Sequence, residues 1–185
     1  MEIILASASP RRKEILSRIV PAFTVVPSGA DEHVPPLSPA DTVEALACMK
    51  AESVFEKYPE ALVIGADTVV AFEGKILGKP ADREDAVRTL RMLSGKEHEV
   101  FTGWCILAPG VKKSGSVRTA VRFRDLDEGF IREYADSGKP LDKAGSYGIQ
   151  DDERLVAKYS GSFTNVVGFP EEEIREQLKS LGCVK

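Results

Sequence analysis

The chain has 185 residues, of which 43% are hydrophobic and 29% charged. That is the size and composition of one soluble domain with a sizeable core, and it speaks against disorder and against a membrane role. A formal net charge of −4 argues against bulk nucleic-acid binding, which needs a basic face, and 7% aromatic residues give no evident stacking platform for single-stranded RNA. Cys48, Cys105 and Cys183 are odd in number and far apart, as reduced thiols are, and His33 and His98 are too separated for a histidine metal cluster. A metal, if used, would be held by carboxylates, which points to Mg²⁺ or Mn²⁺. No apolar run approaches a spanning length and the first residues enter strand directly, so the expected location is the cytoplasm.

In chain order, Ile3-Ile4-Leu5 reads as a short strand buried on both faces, and Ser9-Pro10 as an N-cap followed by proline in the first turn of a helix ending near Val20-Pro21. Arg11 and Arg12 sit where the helix dipole favours acids, so an anion is expected to offset them. A phosphate would meet backbone N–H groups, the Ser7 and Ser9 hydroxyls and two guanidinium forks at the end of a strand. The alternative is a capped helix whose arginines face solvent or pair with Glu14. Phe23 to Val26 gives a strand, and Pro27 to Pro39 a proline-rich loop carrying Asp31, Glu32 and His33. Ser38 then starts a long helix with Val43, Ala47, Ala51 and Val54 at helical spacing and Lys50 within it.

Ala61 to Phe72 is the most strand-like segment, turned back at Glu73-Gly74-Lys75 into Ile76-Leu77. Asp67 in the middle of this apolar run needs a reason, because a buried carboxylate is costly unless paired or bound to a metal. Gly65, on the same face, admits a ligand or another backbone beside it. The alternative for Asp67 is an ion pair with an arginine or lysine inside the core. Beyond Gly78-Lys79-Pro80 come an Asp82-capped helix ending at Ser94-Gly95, two strands near His98 to Leu107 and Gly115 to Arg124, and a helix from Asp127 to Ser137. Arg118, Arg122 and Arg124 share one alternating, solvated strand face. Leu141 to Gln150 is a glycine-rich polar loop suited equally to packing on a ligand or to a surface connection. The spacing next predicts a hairpin over Leu155 to Val167 around Ser160-Gly161-Ser162, and Pro170 opens a last helix whose first turn is acidic.

Taken together the residues resemble the Maf proteins, nucleoside triphosphate pyrophosphatases. The resemblance is carried by Ala6-Ser7-Ala8-Ser9-Pro10-Arg11-Arg12, Glu32, Lys50-Ala51 and Gly65-Ala66-Asp67-Thr68-Val69-Val70. It continues through Gly78-Lys79-Pro80, Asp142-Lys143-Ala144-Gly145-Ser146-Tyr147-Gly148-Ile149-Gln150 and Asn165-Val166-Val167-Gly168-Phe169-Pro170, and so spans nearly the whole chain. It implies a single domain over residues 1–185, an α/β fold with an elongated mixed sheet and flanking helices. Two lobes would enclose a nucleotide cleft, as in the inosine triphosphate pyrophosphatases. It also implies divalent-cation-dependent hydrolysis of a nucleoside triphosphate to monophosphate and pyrophosphate. The Tyr147-Gly148-Ile149-Gln150 form is similar to the branch acting on dTTP and UTP rather than on 7-methyl-GTP. Many members continue with glycines after the glutamine, whereas Asp151-Asp152-Glu153-Arg154 follows here.

Carried onto this sequence, the resemblance makes Asp67 the proton acceptor and Arg11, Thr68 and Gln150 the specificity positions. Glu32, Lys50 and Lys79 join the catalytic set. Ser7, Arg11 and Arg12 are assigned to the phosphates, and Glu32 and Asp67 to Mg²⁺ or Mn²⁺. Gln150 presents an amide acceptor and donor complementary to the N3–H and adjacent carbonyl of uracil or thymine, an edge that modified pyrimidine triphosphates share; an adenine edge also offers a donor and an acceptor, so this chemistry alone does not select pyrimidines. In a regular strand Thr68 points to the face opposite Asp67, so serving one site requires a bulge, a strand end or action through the backbone. A homodimer is expected from the resemblance only. The competing reading is a nucleotide-binding regulator of septum formation that does not turn substrate over.

Overall fold

The computed structural model describes the whole chain, Met1–Lys185. Strand β1 (Ile3–Leu5) lies between parallel partners β2 (Thr24–Val25) and β3 (Leu62–Phe72), with Leu5 opposite both Val25 and Ile64. Parallel neighbours need crossover connections, and helices α1 (Pro10–Ser17) and α2 (Pro39–Phe55) provide them. Strand β4 (Lys75–Leu77) returns antiparallel to β3 through Glu73-Gly74, both with positive φ (49° and 75°), as a tight two-residue hairpin turn demands. Helix α3 (Arg83–Leu93), strands β5 (Glu97–Ala108) and β6 (Val111–Phe123), and helix α4 (Glu128–Asp136) follow. Strand β7 (Val156–Ser160) pairs antiparallel with β6, and helices α5 (Phe163–Val167) and α6 (Glu171–Ser180) end the chain. The result is a mixed α/β fold with a seven-stranded sheet in the order β2-β1-β3-β5-β6-β7, β4 pairing with β3.

The caps hold where polar residues precede apolar periodicity. Ser9, Ser38, Asp82 and Asp127 each accept a backbone N–H three residues on, satisfying donors that a helix start leaves without an intrahelical partner. One expectation fails. Residues 163–167 are the helix α5, not the second strand of a hairpin with Leu155 onwards, because the Ser162 hydroxyl accepts the Asn165 N–H (3.1 Å) and so caps a turn, while β7 takes β6 as its partner. The buried Asn165 side chain then donates to the Val100 carbonyl (3.2 Å) and to Thr119 Oγ1 (3.0 Å), fixing this turn on β5 and β6.

Two compact units divide the chain. The first consists of Met1–Thr68, Thr102–Val117 and Gly168–Lys185. Its core sets Ile4 and Val63 of the sheet, with Ala6 just beyond β1, against Ala47, Ala51 and Val54 of α2. The second consists of Val69–Phe101 and Arg118–Val167, with Val87 and Leu90 of α3 and Phe130 and Ile131 of α4 packed with Val121 and Phe123. Strands β3, β5 and β6 each contribute residues to both. The three cysteines are free thiols, Arg118, Arg122 and Arg124 are exposed as their alternation predicts, and no helix is long and apolar enough to cross a membrane.

Candidate active site

In the first unit the β1–α1 loop, α2 and the middle of β3 bring one constellation together. Helix α2 lies directly on the sheet because two glycines leave room for its backbone. A Cβ at Gly65 would stand 2.3 Å from the Ala47 carbonyl oxygen, and one at Gly103 would stand 2.1 Å from that of Val43. The bulk missing at Gly65 therefore admits another backbone. That approach delivers Lys50, three residues beyond Ala47, to Asp67, two residues beyond Gly65.

Lys50 Nζ donates to Asp67 Oδ1 at 2.5 Å and lies 3.2 Å from Glu32 Oε1. The Lys50 and Asp67 side chains are 12% and 13% exposed, whereas Glu32 is 53% exposed, so the first pair is largely desolvated and the second faces water. Of the two alternatives for Asp67, the ion pair is present, with Lys50 as the partner. Loss of one member of such a pair leaves an uncompensated charge, which typically costs about 3–5 kcal/mol.

Thr68 follows the two-residue period and turns to the other face of β3. There its hydroxyl accepts from Arg12 Nη2 (3.2 Å) and lies 2.9 Å from Thr102 Oγ1. The Arg12 guanidinium also donates from Nε to the Gly168 carbonyl (2.9 Å) and from Nη1 to Ser7 Oγ (3.2 Å). Burial lowers its pKa, opposed by the negative charge of Asp67 and, more weakly, Glu32, while the Arg11 charge adds to the lowering. Ser7 is buried and its hydroxyl also accepts the Ser9 N–H (3.3 Å). Arg12 thus engages Thr68 on the face of β3 opposite Asp67, while the negative charge of Asp67 opposes the lowering of the Arg12 pKa. Thr102 and Gly168 were not among the sequence candidates. Gly168 lies in the Asn165 to Pro170 stretch that carried the resemblance, but its partner is 156 residues away.

Two carboxylates converging on one cationic atom form an oxygen-only donor set that fits a hard divalent ion, which keeps waters and takes substrate phosphates as further ligands. No group of three or more potential metal-binding side chains exists in the chain, so an all-protein cage is absent.

Lys79 and Gln150 belong to the second unit. Lys79 is exposed just after β4, in a loop tied down where the Gly78 carbonyl accepts the Gly145 N–H (3.1 Å). Gln150 is exposed between two residues that are not, Ile149 and Asp151. Upstream of it Gly145 and Ser146 both have positive φ (70° and 65°), and a Cβ at Gly145 would meet Val70 at 2.6 Å. Ser146, fully buried with a left-handed backbone, is a strained residue that the surrounding packing holds.

The chain matches the family model described as Maf-like protein over residues 2–181. Among curated proteins it is 50% identical over 182 residues to the dTTP/UTP pyrophosphatase of Thermococcus kodakarensis, covering 97% of this chain and 96% of that one. It is 44% identical over 185 residues to the dTTP/UTP pyrophosphatase of Pelotomaculum thermopropionicum, covering 98% and 97%. Among solved structures, the Staphylococcus aureus Ham1 protein superposes with a TM-score of 0.60 at 14% identity, covering 98% of this chain and 100% of that one, a likeness of fold.

Proposed function

This chain belongs to the Maf-like protein family, and from that premise we infer that it is a nucleoside triphosphate pyrophosphatase hydrolysing dTTP and UTP to the monophosphate and pyrophosphate. The observation that carries the reading at the level of residues is the desolvated Lys50–Asp67 pair with Glu32 at its open side. Cleavage between the α- and β-phosphates requires neutralising a polyanion, orienting a water in line with the leaving pyrophosphate and taking its proton. Asp67 orients that water and accepts the proton. Lys50 holds Asp67 in position and lends its charge to the developing negative oxygens. Lys79 contributes a second point charge, and Ser7, Arg11 and Arg12 receive phosphate oxygens. Arg12, already donating to three protein acceptors, fixes the loop as well as contributing charge. Gln150 reads the pyrimidine edge, with Arg11 and Thr68 completing the specificity positions. Glu32 and Asp67 would hold Mg²⁺ or Mn²⁺, which when bound neutralises phosphate charge and acidifies water. Cytoplasmic location, turnover of modified pyrimidine nucleotides and a homodimer remain part of this proposal.

The test is a hydrolysis panel with Mg²⁺ or Mn²⁺, the common ribo- and deoxyribonucleoside triphosphates and 7-methyl-GTP, products separated by ion exchange. Monophosphate plus pyrophosphate from dTTP and UTP, abolished by chelation and reduced at least about a hundredfold in Asp67→Asn, is the expected result. Normal turnover by Asp67→Asn would remove Asp67 from its role. Nucleotide binding without multiple turnover would favour a regulator.

A further inference from the structure

The loop that presents Gln150 is held by a buried polar clamp within the second unit. The Tyr134 hydroxyl of α4 accepts the backbone N–H of Gly148 (3.1 Å) and donates to Asp151 Oδ2 (2.6 Å). The Asp151 N–H in turn closes on the Gly148 carbonyl (3.0 Å). The same carboxylate oxygen lies 3.4 Å from Lys143 Nζ, the two side chains being 12% and 11% exposed. Lys143 also donates to the Lys139 carbonyl (2.6 Å) and to Asp142 Oδ1 (3.1 Å). Burial and the bond to Asp151 raise the Tyr134 pKa, so the phenol stays a donor. A Cβ at Gly148 would stand 2.9 Å from the Asp151 carboxylate and from Lys143 Cε, so the clamp closes over a position with no side chain. Gln150 is the exposed residue between the buried Ile149 and the clamped Asp151.

We propose that Asp151, held by Tyr134 and Lys143, is a positioning residue that sets base selectivity by fixing where the adjacent Gln150 amide stands. This rests on the reading of Gln150 as the residue that faces the base. Two directional hydrogen bonds from an amide discriminate one base edge from another only if the amide is held in place, and a half-satisfied network releases its loop. Asp151 does not itself touch the nucleotide, so the effect falls on discrimination between bases more than on the rate of the chemical step.

The experiment measures kcat/KM for UTP, dTTP, CTP and ATP on single preparations of wild type, Asp151→Ala, Asp151→Asn, Tyr134→Phe, Gln150→Ala and the control Asp152→Ala, whose side chain bonds only Arg154. The UTP-to-CTP ratio is the readout, because the fraction of folded enzyme cancels from it and a merely structural role would not move it. Asp151→Ala is expected to lower that ratio about tenfold, through KM for UTP more than through kcat. Asp151→Asn, which still accepts from Tyr134, restores part of it, Tyr134→Phe moves it in the same direction as Asp151→Ala, and Asp152→Ala leaves it unchanged. An unchanged ratio in Asp151→Ala and Tyr134→Phe beside a lowered one in Gln150→Ala overturns this proposal alone. An unchanged ratio in Gln150→Ala, or a wild type without pyrimidine preference, overturns the underlying reading and this proposal together. If Asp151→Ala fails to fold, the Tyr134→Phe ratio decides.

Discussion

Arg12 makes three bonds that point in three directions, to Ser7, Thr68 and Gly168. A planar guanidinium satisfies them at once, whereas one ammonium on a flexible stem cannot. Arg12→Lys is therefore expected to lower unfolding free energy by about 1–3 kcal/mol, read as a shift in denaturation midpoint at constant slope. His98 behaves differently. It is buried between Phe123 and Tyr147, with Nε2 2.7 Å from the Tyr147 hydroxyl and Nδ1 without a partner, and burial pushes its pKa down to about 4. The unfolded chain then binds a proton near pH 6.5 that the folded chain refuses until about pH 4. The stability of neutral His98 is complete above pH 6.5 and is lost as pH falls from 6.5 towards 4, by up to about 3 kcal/mol. Thermal midpoints of wild type and His98→Gln measured across that window should converge as pH falls. Parallel curves would contradict the assignment.

At the scale of elements, the seat of α2 on β3 and β5 decides how close Lys50 comes to Asp67. The atoms that a Cβ at position 65 would meet are backbone, the Ala47 carbonyl and the Ala51 N–H, and they cannot turn aside. Gly65→Ala is expected to cost at least about 3 kcal/mol and to reduce turnover even in the folded fraction, whereas Gly78→Ala, with nothing within 4 Å, changes unfolding free energy by less than about 0.5 kcal/mol. Urea titration of both variants checks this. What could be read in advance follows the same division. Strand β1, the long β3, the capped helices and the alternating exposure of β6 were legible because their signals are local: unbroken apolar runs, caps, period two. The period also placed Thr68 opposite Asp67. It could not say that Arg12 waits on that face, nor that the gap at Gly65 is filled by α2 rather than by a ligand, because those partners are distant in sequence. Residues 163–167 misled because a one-turn helix is too short to show a 3.6 period, so its start rests on one serine. The clamp on Asp151 had no local signal beyond an acid after Gln150, since Tyr134 arrives from another helix.

For the whole molecule, the two units are interleaved along the chain, three strands serving both, and the first is assembled from three separate segments. Its last segment, Gly168–Lys185, brings the buried Phe169, Ile174 and Leu178 together with the carbonyl that Arg12 Nε meets. A version ending at Val167 keeps every residue assigned to phosphate, proton transfer and base. It is nonetheless expected to lose cooperative unfolding of the first unit, seen as a broadened or absent calorimetric transition. A peptide of residues 168–185 added in trans is the complementary check. The same bond has a meaning for how the protein is made. Gly168 is added to the growing chain 156 residues after Arg12, so the carbonyl that orients the guanidinium does not yet exist when the loop carrying Arg12 has been made. A stop codon between these two positions therefore takes an acceptor away from the β1–α1 loop while leaving the sequence of that loop intact.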